Sequence, residues 1–226
     1  MSRQTNHQVA IVAGATGLTG NELIRQLVHH PSFDEVIALV RSPGRLGLQS
    51  EKFREIQLPP GGFLGSEAEA LILPEGALYF CALGTTRKKA GSQKGFLAVD
   101  LESVEAFGRI CEKHVGSCLV LVSSSGARTS SPIFYTRVKG LAEEKLKAMK
   151  IPRLVIFRPS VLIGERAESR PTEKIAIRAW RLFKPILPVN LARKLGTPIS
   201  ILVERMVDES LDSREGRYVI EASEIG

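Results

Sequence analysis

Apolar positions along this chain fall into short β-branched runs separated by stretches of helical periodicity. Gln8–Ala13 reads as a buried strand, Leu18–His30 as a helix, and Glu35–Val40 as a second strand. Phe53–Leu58 predicts a third strand, and the Gly-rich, acidic stretch after it has no assignable pattern. Leu78–Leu83 is a strongly apolar strand, followed by a basic loop at Arg87, Lys88 and Lys89 and a long helix from about Phe96 to His114. Cys118–Val122 then predicts a strand, Phe134–Met149 a helix and Leu154–Phe157 a further strand. Parallel neighbours need long crossover connections, so this alternation predicts an α/β fold with a doubly wound, Rossmann-like parallel sheet. From Arg158 onward the alternation breaks into Pro-punctuated segments, with helices expected at Thr172–Lys184 and Ser200–Leu211 and a last strand at Tyr218–Glu221.

Composition narrows the class without changing that picture. The 226 residues, 43% hydrophobic and 24% charged, suit one domain with a full core. The longest apolar run, Ala77 to Leu83, is far short of the roughly 20 residues a membrane-spanning helix needs. The polar start MSRQTNHQ leads into an apolar run too brief for a signal peptide, so a cytoplasmic location is expected. Cys81, Cys111 and Cys118 are odd in number and lie in apolar surroundings, which fits buried thiols better than a disulfide framework. The formal charge of +7 is concentrated: Glu165 to Lys194 holds eight basic and three acidic residues. A solvated basic helix face is the plainer reading of that patch.

The first strand ends in Gly14-Ala15-Thr16-Gly17-Leu18-Thr19-Gly20, which opens the first helix. Glycines so spaced permit a tight turn and close backbone approach to a pyrophosphate, while the helix N-terminus offers free N–H groups to the anion. A dinucleotide is the expected ligand, bound by Gly14, Thr16, Gly17, Leu18, Thr19 and Gly20. At the end of the second strand, where an acid would hold the ribose of NAD, stands Arg41, with Ser42 and Arg45 after it. A guanidinium matches a 2′-phosphate by charge and by its forked donors, so NADP(H) is favoured. After the strand ending Cys81-Ala82-Leu83, the residues Leu83, Gly84 and Thr85 are placed to pass under the cofactor at a sheet edge.

Ser123-Ser124-Ser125 follow another strand, and Tyr135 and Lys139 stand four apart on one helix face. The ammonium can stabilise a developing phenolate, which makes Tyr135 and Lys139 a proton-transfer pair, and a strand-end serine can hold a carbonyl oxygen toward the tyrosine. The four histidines and three cysteines lack metal-ligand spacing, and no metal is expected.

With these motifs in this order the chain resembles the short-chain dehydrogenase/reductases, and among them the compact atypical members. The likeness runs from about Gln8 to the C-terminus and is closer to the HIV Tat-interactive protein 2 group, through CALGTTRKKAGS, VSSSGA with FYTRVKG, and FRPSVLIGERAESRP. The resemblance implies a Rossmann fold binding NADP(H), with Ser124, Tyr135 and Lys139 as catalytic residues and Tyr135 and Lys139 also contacting the cofactor. For the serine, strand-end alignment favours Ser124, whereas the longer sugar-nucleotide members point to Ser125. The segment Arg158-Pro159-Ser160-Val161 resembles the loop at the nicotinamide end, which adds Pro159, Ser160 and Val161 to the cofactor site. Many members carry an Asn in the helix after the fourth strand, where this chain has Val99-Asp100.

The domain reading that results is a dinucleotide-binding core at 8–157 and a small C-terminal substrate-side lobe at 158–226. The expected function is an NADP(H)-dependent oxidoreductase acting on a small carbonyl or alcohol substrate, as monomer or homodimer. The alternative is an NADPH-binding redox sensor or regulatory protein acting through partners. A sugar-nucleotide epimerase is disfavoured by the short C-terminal segment, and nucleic-acid binding by the absence of a reading motif. The amphipathic stretch Lys174–Lys184 is expected to cover the substrate pocket, with membrane-surface contact as the lesser reading.

Overall fold

A computed structural model of the chain describes residues 8–65, 67–164 and 196–225. The elements run β1 (Gln8–Ala13), α1 (Leu18–His29), β2 (Phe33–Val40), β3 (Phe53–Gln57), β4 (Leu78–Cys81) and the one-turn helix α2 (Arg87–Ala90). Next come α3 (Gln93–Leu97), a π-helical turn (Ala98–Glu102) and α4 (Ser103–Lys113). β5 (Cys118–Val122), α5 (Phe134–Lys147), β6 (Arg153–Arg158), β7 (Leu162–Ile163), β8 (Thr197–Pro198), α6 (Ile199–Ser210) and β9 (Gly216–Glu221) complete the described chain. Seven strands form one sheet in the order β3-β2-β1-β4-β5-β6-β9, every neighbouring pair parallel, and β7 pairs with β8 apart from it.

Successive strand residues point to opposite faces, so the continuous apolar runs of β1, β4 and β5 feed two cores at once. Ala10, Val12, Phe80, Val120 and Val155 face α1 and α6, which supply Leu23, Ile24, Leu27, Leu202, Val203 and Met206. Ile11, Tyr79, Leu119, Leu121 and Ile156 face α4 and α5, which supply Val104, Phe107, Ile110, Ala142 and Leu146. All three cysteines are buried and free.

Several elements differ from the sequence reading. The segment expected as a basic loop after β4 is α2, held by the Thr86 hydroxyl accepting from the Lys89 N–H at 3.2 Å. The long helix begins at Gln93 and is interrupted by the π turn. The unassigned Gly-rich stretch contains two 3₁₀ turns and buries Phe63 edge-on against Phe107, 5.6 Å between ring centres. Within the segment assigned to the substrate side, β9 is the seventh strand of the main sheet and α6 completes its helix layer. The apolar spacing of Leu202, Val203 and Met206 buries a full helix face against α1 and the strands, which draws these residues into the core. The basic patch Glu165–Lys194 and the helix expected at Thr172–Lys184 lie outside the described residues.

Candidate active site

From β1 the chain moves to β2 on one side of the sheet, whereas β4 lies on β1's other side. The strand order therefore reverses between β1 and β4, and in open α/β sheets ligands bind in the crevice beyond the carboxyl ends of the strands at this point. The segments after β1, β2, β4, β5 and β6 all leave from that edge, and they carry the residues singled out in the sequence.

Gly14 follows β1 with φ +82°, and a Cβ there would stand 2.4 Å from the Ala82 carbonyl oxygen. A side chain is excluded both by the backbone conformation and by the neighbouring strand's exit. A Cβ at Gly20 would stand 2.2 Å from the Gly14 carbonyl oxygen, so α1 packs directly on the turn. Gly17 donates its N–H to the Gly14 carbonyl at 2.9 Å and precedes α1, whose N-terminus has no side-chain cap. The first-turn N–H groups of Leu18 and Thr19 therefore keep their donor capacity, and the helix dipole adds positive potential. Thr16 and Gly17 are exposed beside them, and Thr19 is buried.

Arg41, Ser42 and Arg45 are exposed directly after β2. The Gly44 N–H donates to Glu55 Oε2 at 2.6 Å and fixes this loop against β3. Both guanidinium groups are exposed, and among the described residues neither arginine makes an ion pair.

Beyond β4, Leu83 is half-buried and Gly84 exposed. Thr85 donates its N–H to Asp100 Oδ2 at 2.8 Å, and Asp100 Oδ1 lies 2.9 Å from the Lys139 Nζ. Asp100 and Lys139 are both buried. Burial by itself pulls the lysine's pKa down, but the Asp100 carboxylate, helped by Tyr135 and Cys81, more than offsets this and leaves it raised. Gly84 lies over the pair: a Cβ there would stand 3.6 Å from Asp100 Oδ1 and 3.7 Å from Lys139 Nζ. Tyr135, one turn before Lys139 on α5, remains 38% exposed, with the buried Phe96 ring edge-on to it at 5.9 Å.

The three serines after β5 have separate fates. Ser123 is buried and donates to Glu143 Oε1 at 2.5 Å. Ser124 is half-buried, and its hydroxyl makes only a long 3.4 Å contact with the Ser125 carbonyl. Ser125 is exposed and joins the loops after β5 and β6 through its N–H to the Pro159 carbonyl at 2.9 Å. Among the described residues neither Ser124 nor Ser125 bonds to Tyr135. Pro159 is buried and Val161 is exposed. Ser160 accepts no fixed place in the crevice by itself but is tied to β8, its N–H donating to Thr197 Oγ1 at 3.2 Å.

Two partners escaped the sequence reading. Asp100 stood out only as a departure from an Asn, not as the lysine's counter-ion. Glu143 was not singled out, yet it is fully buried and takes a two-point contact from Arg158, Nε to Oε1 at 3.0 Å and Nη2 to Oε2 at 2.6 Å. Its position between Val138, Ala142 and Leu146 on the apolar face of α5 was the available signal.

No protein-family model matches the sequence. Rat protein HTATIP2 is 32% identical over 208 residues, 91% of this chain and 82% of that protein. Candida albicans FMP52, named as mitochondrial, is 31% identical over 70% of this chain and 69% of that protein. Among solved structures, MoeE5 in complex with UDP-glucose and NAD superposes with a TM-score of 0.67, covering 94% of this chain and 75% of that one at 17% identity. The cytoplasmic location expected from the polar start of the chain is overturned by the fungal relatives, several of which are named as mitochondrial proteins. By its likeness to rat HTATIP2 over most of both sequences, the chain belongs to the HTATIP2 family, and its seven-stranded parallel sheet shares the fold of MoeE5.

Proposed function

We propose that the protein is an NADP(H)-dependent oxidoreductase moving hydride between the nicotinamide and a carbonyl or alcohol carbon of a small-molecule substrate. The observation that carries this reading is the buried Lys139 ammonium, paired with Asp100 beside Gly84 and placed one turn from the exposed Tyr135. The residues present fit a dinucleotide: a Gly14 turn that admits no side chain, uncapped N–H groups at the start of α1, and a sheet edge at the strand-order reversal. When bound, the nicotinamide supplies or accepts the hydride. In reduction the Tyr135 hydroxyl donates a proton to the substrate oxygen, and the Lys139 ammonium stabilises the phenolate left behind. Ser124 orients that oxygen, because Ser123 is committed to Glu143 and Ser124 is not. Pro159, Ser160 and Val161 border the nicotinamide end, with Leu83, Gly84 and Thr85 beneath the cofactor.

The exposed Arg41 and Arg45, unpaired among the described residues, support NADP(H) over NAD(H). Direct titration is expected to show NADPH binding at least about tenfold tighter than NADH, a difference of about 1.4 kcal/mol. Equal affinities would remove the role given to Arg41. In a screen of aldehydes, ketones and quinones, Tyr135→Phe is expected to cost about 10²–10⁴ in rate while NADPH binding stays nearly intact. Full activity in that variant would refute the mechanism. Comparing Ser124→Ala with Ser125→Ala decides which serine holds the oxygen.

A further inference from the structure

We infer that Asp100 is a positioning residue of this site: the π-helical turn between α3 and α4 presents its carboxylate to Lys139 and to the Thr85 N–H, fixing the lysine as a permanent cation beneath the crevice. The inference rests on the oxidoreductase reading for its purpose, but its geometry stands apart from it.

A π turn widens the helix and shifts the register of the side chains after it, and such turns recur at functional sites. Here it spans Ala98–Glu102, and the Ser103 hydroxyl donates to the Ala98 carbonyl at 2.6 Å, engaging an oxygen of the widened turn. Asp100 is completely buried, whereas Val99 and Leu101 on either side are only half-buried. One turn earlier the same segment packs Phe96 against the Tyr135 ring in a T-shaped contact. A single stretch of helix therefore braces both members of the proton-transfer pair on α5.

The charge arrangement is equally specific. Oδ2 is taken by the Thr85 N–H, which ties the carboxylate to the loop passing under the cofactor. Oδ1 makes a close charge contact with the ammonium at 2.9 Å rather than a well-aligned hydrogen bond, and it has no other partner among the described residues. The groups facing Lys139 are Asp100 from the π turn, Tyr135 from its own helix and Cys81 from the end of β4. Cys81 is pushed up to about 11, chiefly by burial, so below that pH it is a neutral thiol, and its help to the lysine comes only as it ionises. Asp100 is the one carboxylate in this set, and without it a buried amine would tend to lose its proton.

The test reads the lysine directly. In a pH titration of the intact protein carrying ¹³Cε-labelled lysine, with the Lys139 resonance assigned through Lys139→Arg, the wild-type signal is expected to stay in its charged position beyond pH 10.5, the ordinary lysine value. Asp100→Asn keeps an oxygen for the Thr85 N–H and removes only the charge. In that variant the Lys139 midpoint is expected to fall by at least about one pH unit, and NADPH affinity to weaken as pH rises through the new midpoint. Adding Lys139→Arg to Asp100→Asn is expected to abolish that pH dependence, because a guanidinium does not deprotonate in this range. Identical Lys139 midpoints in wild type and Asp100→Asn would overturn the inference, as would a pH dependence that survives the double substitution. If Asp100→Asn does not fold, the wild-type resonance decides alone: a midpoint below 10.5 overturns the inference and one above it supports it. Failure of NADPH to bind the wild-type chain would count against the oxidoreductase reading, while the resonance would still report on Asp100.

Discussion

Lys139 and Glu143 lie one turn apart on α5, both are buried, and each meets an opposite charge from another element. Around Glu143 the donors are complete: Arg158 reaches both carboxylate oxygens, Ser123 adds a hydroxyl, and Arg158's remaining Nη1 goes to Glu221 at 2.8 Å. The Arg158 guanidinium is raised in pKa, first by its hydrogen bond to Glu143 and against the effect of burial. This cluster ties α5 to the ends of β5, β6 and β9 and engages both carboxylate oxygens of Glu143 and all three guanidinium nitrogens of Arg158. Around Lys139, among the described residues, there is one carboxylate in charge contact, with Gly84 beside the pair. A fully engaged buried pair acts as a fastening, and a sparsely engaged one keeps capacity for chemistry.

Breaking the fastening is expected to have the larger effect on stability. Glu143→Ala removes the partner of two Arg158 nitrogens and of the buried Ser123 hydroxyl, while Glu221 still compensates the guanidinium, which sets the cost at the low end of the about 3–5 kcal/mol typical of a broken buried pair. Urea unfolding is expected to show a loss of about 3 kcal/mol for Glu143→Ala, and a smaller one for the near-isosteric Asp100→Asn. If the two variants unfold at the same urea concentration, the contrast between the pairs fails.

Alkaline pH distinguishes the two regions next. Cys81, beside Lys139, is pushed up to about 11 by burial, the nearby Lys139 and a backbone hydrogen bond at Leu83 opposing it and Asp100 adding to it. Cys118 is pushed up to about 12, again chiefly by burial, and Cys111 stands well above its ordinary value of 9.0 for the same first reason. Between pH 9 and these values the unfolded thiols have lost protons that the folded chain retains. The folded state then binds more protons, so stability falls as pH rises. Lys139, raised above 10.5, acts with the same sign: its contribution is present below that value and is lost as pH rises through its folded pKa. Stability is expected to be level below pH 9 and to fall above it by up to about 1.4 kcal/mol per pH unit for each thiol. Urea midpoints from pH 8 to pH 11 measure this, and Cys81→Ala is expected to make the slope shallower. An unchanged midpoint across that range would contradict the burial of the thiols. Arg158, held above the guanidinium range, contributes nothing to this slope.

The contrast between the two clusters also marks what the sequence could reveal. Strand interiors were legible because β1, β4 and β5 are apolar on both faces, and Cys118–Val122 is a strand with the bounds expected. The placement of the Gly14 turn and of Tyr135 one turn before Lys139 was legible because spacing within one element sets it. The Lys139–Asp100 pair joins residues 39 positions apart and depends on a π turn, which comes from a slip in hydrogen-bond register with no signature in hydrophobic period. Arg158 was noted only as the start of a family loop, since nothing local couples it to Glu143 or Glu221. The placement of β9 beside β6 was hidden for a similar reason: a parallel partner is chosen by the whole sheet, and the short run around Tyr218–Glu221 gives no sign of its neighbour.

The smallest effect on stability is expected at the opening itself. An added methyl at Gly84 would lie 3.6 Å from Asp100 Oδ1 and 3.7 Å from Lys139 Nζ, ordinary van der Waals separations that require no movement of either group. Gly84 is also absent from the positive-φ glycines, so an L side chain meets no backbone penalty there. Gly84→Ala is therefore expected to leave stability within about 0.5 kcal/mol of wild type, as exposed substitutions usually do. The Lys139–Asp100 contact should persist, with the lysine resonance unmoved. What changes is access along the proposed cofactor path over Gly84, which the methyl narrows beside the ammonium. NADPH affinity is expected to fall by about tenfold, the loss of about 1.4 kcal/mol, with Lys139 still charged. A variant that binds NADPH as wild type does would mean that the cofactor does not approach over Gly84. A variant that unfolds as readily as Glu143→Ala would mean that Gly84 is part of the packing and that the lysine pair is as closed as its neighbour one turn along the helix.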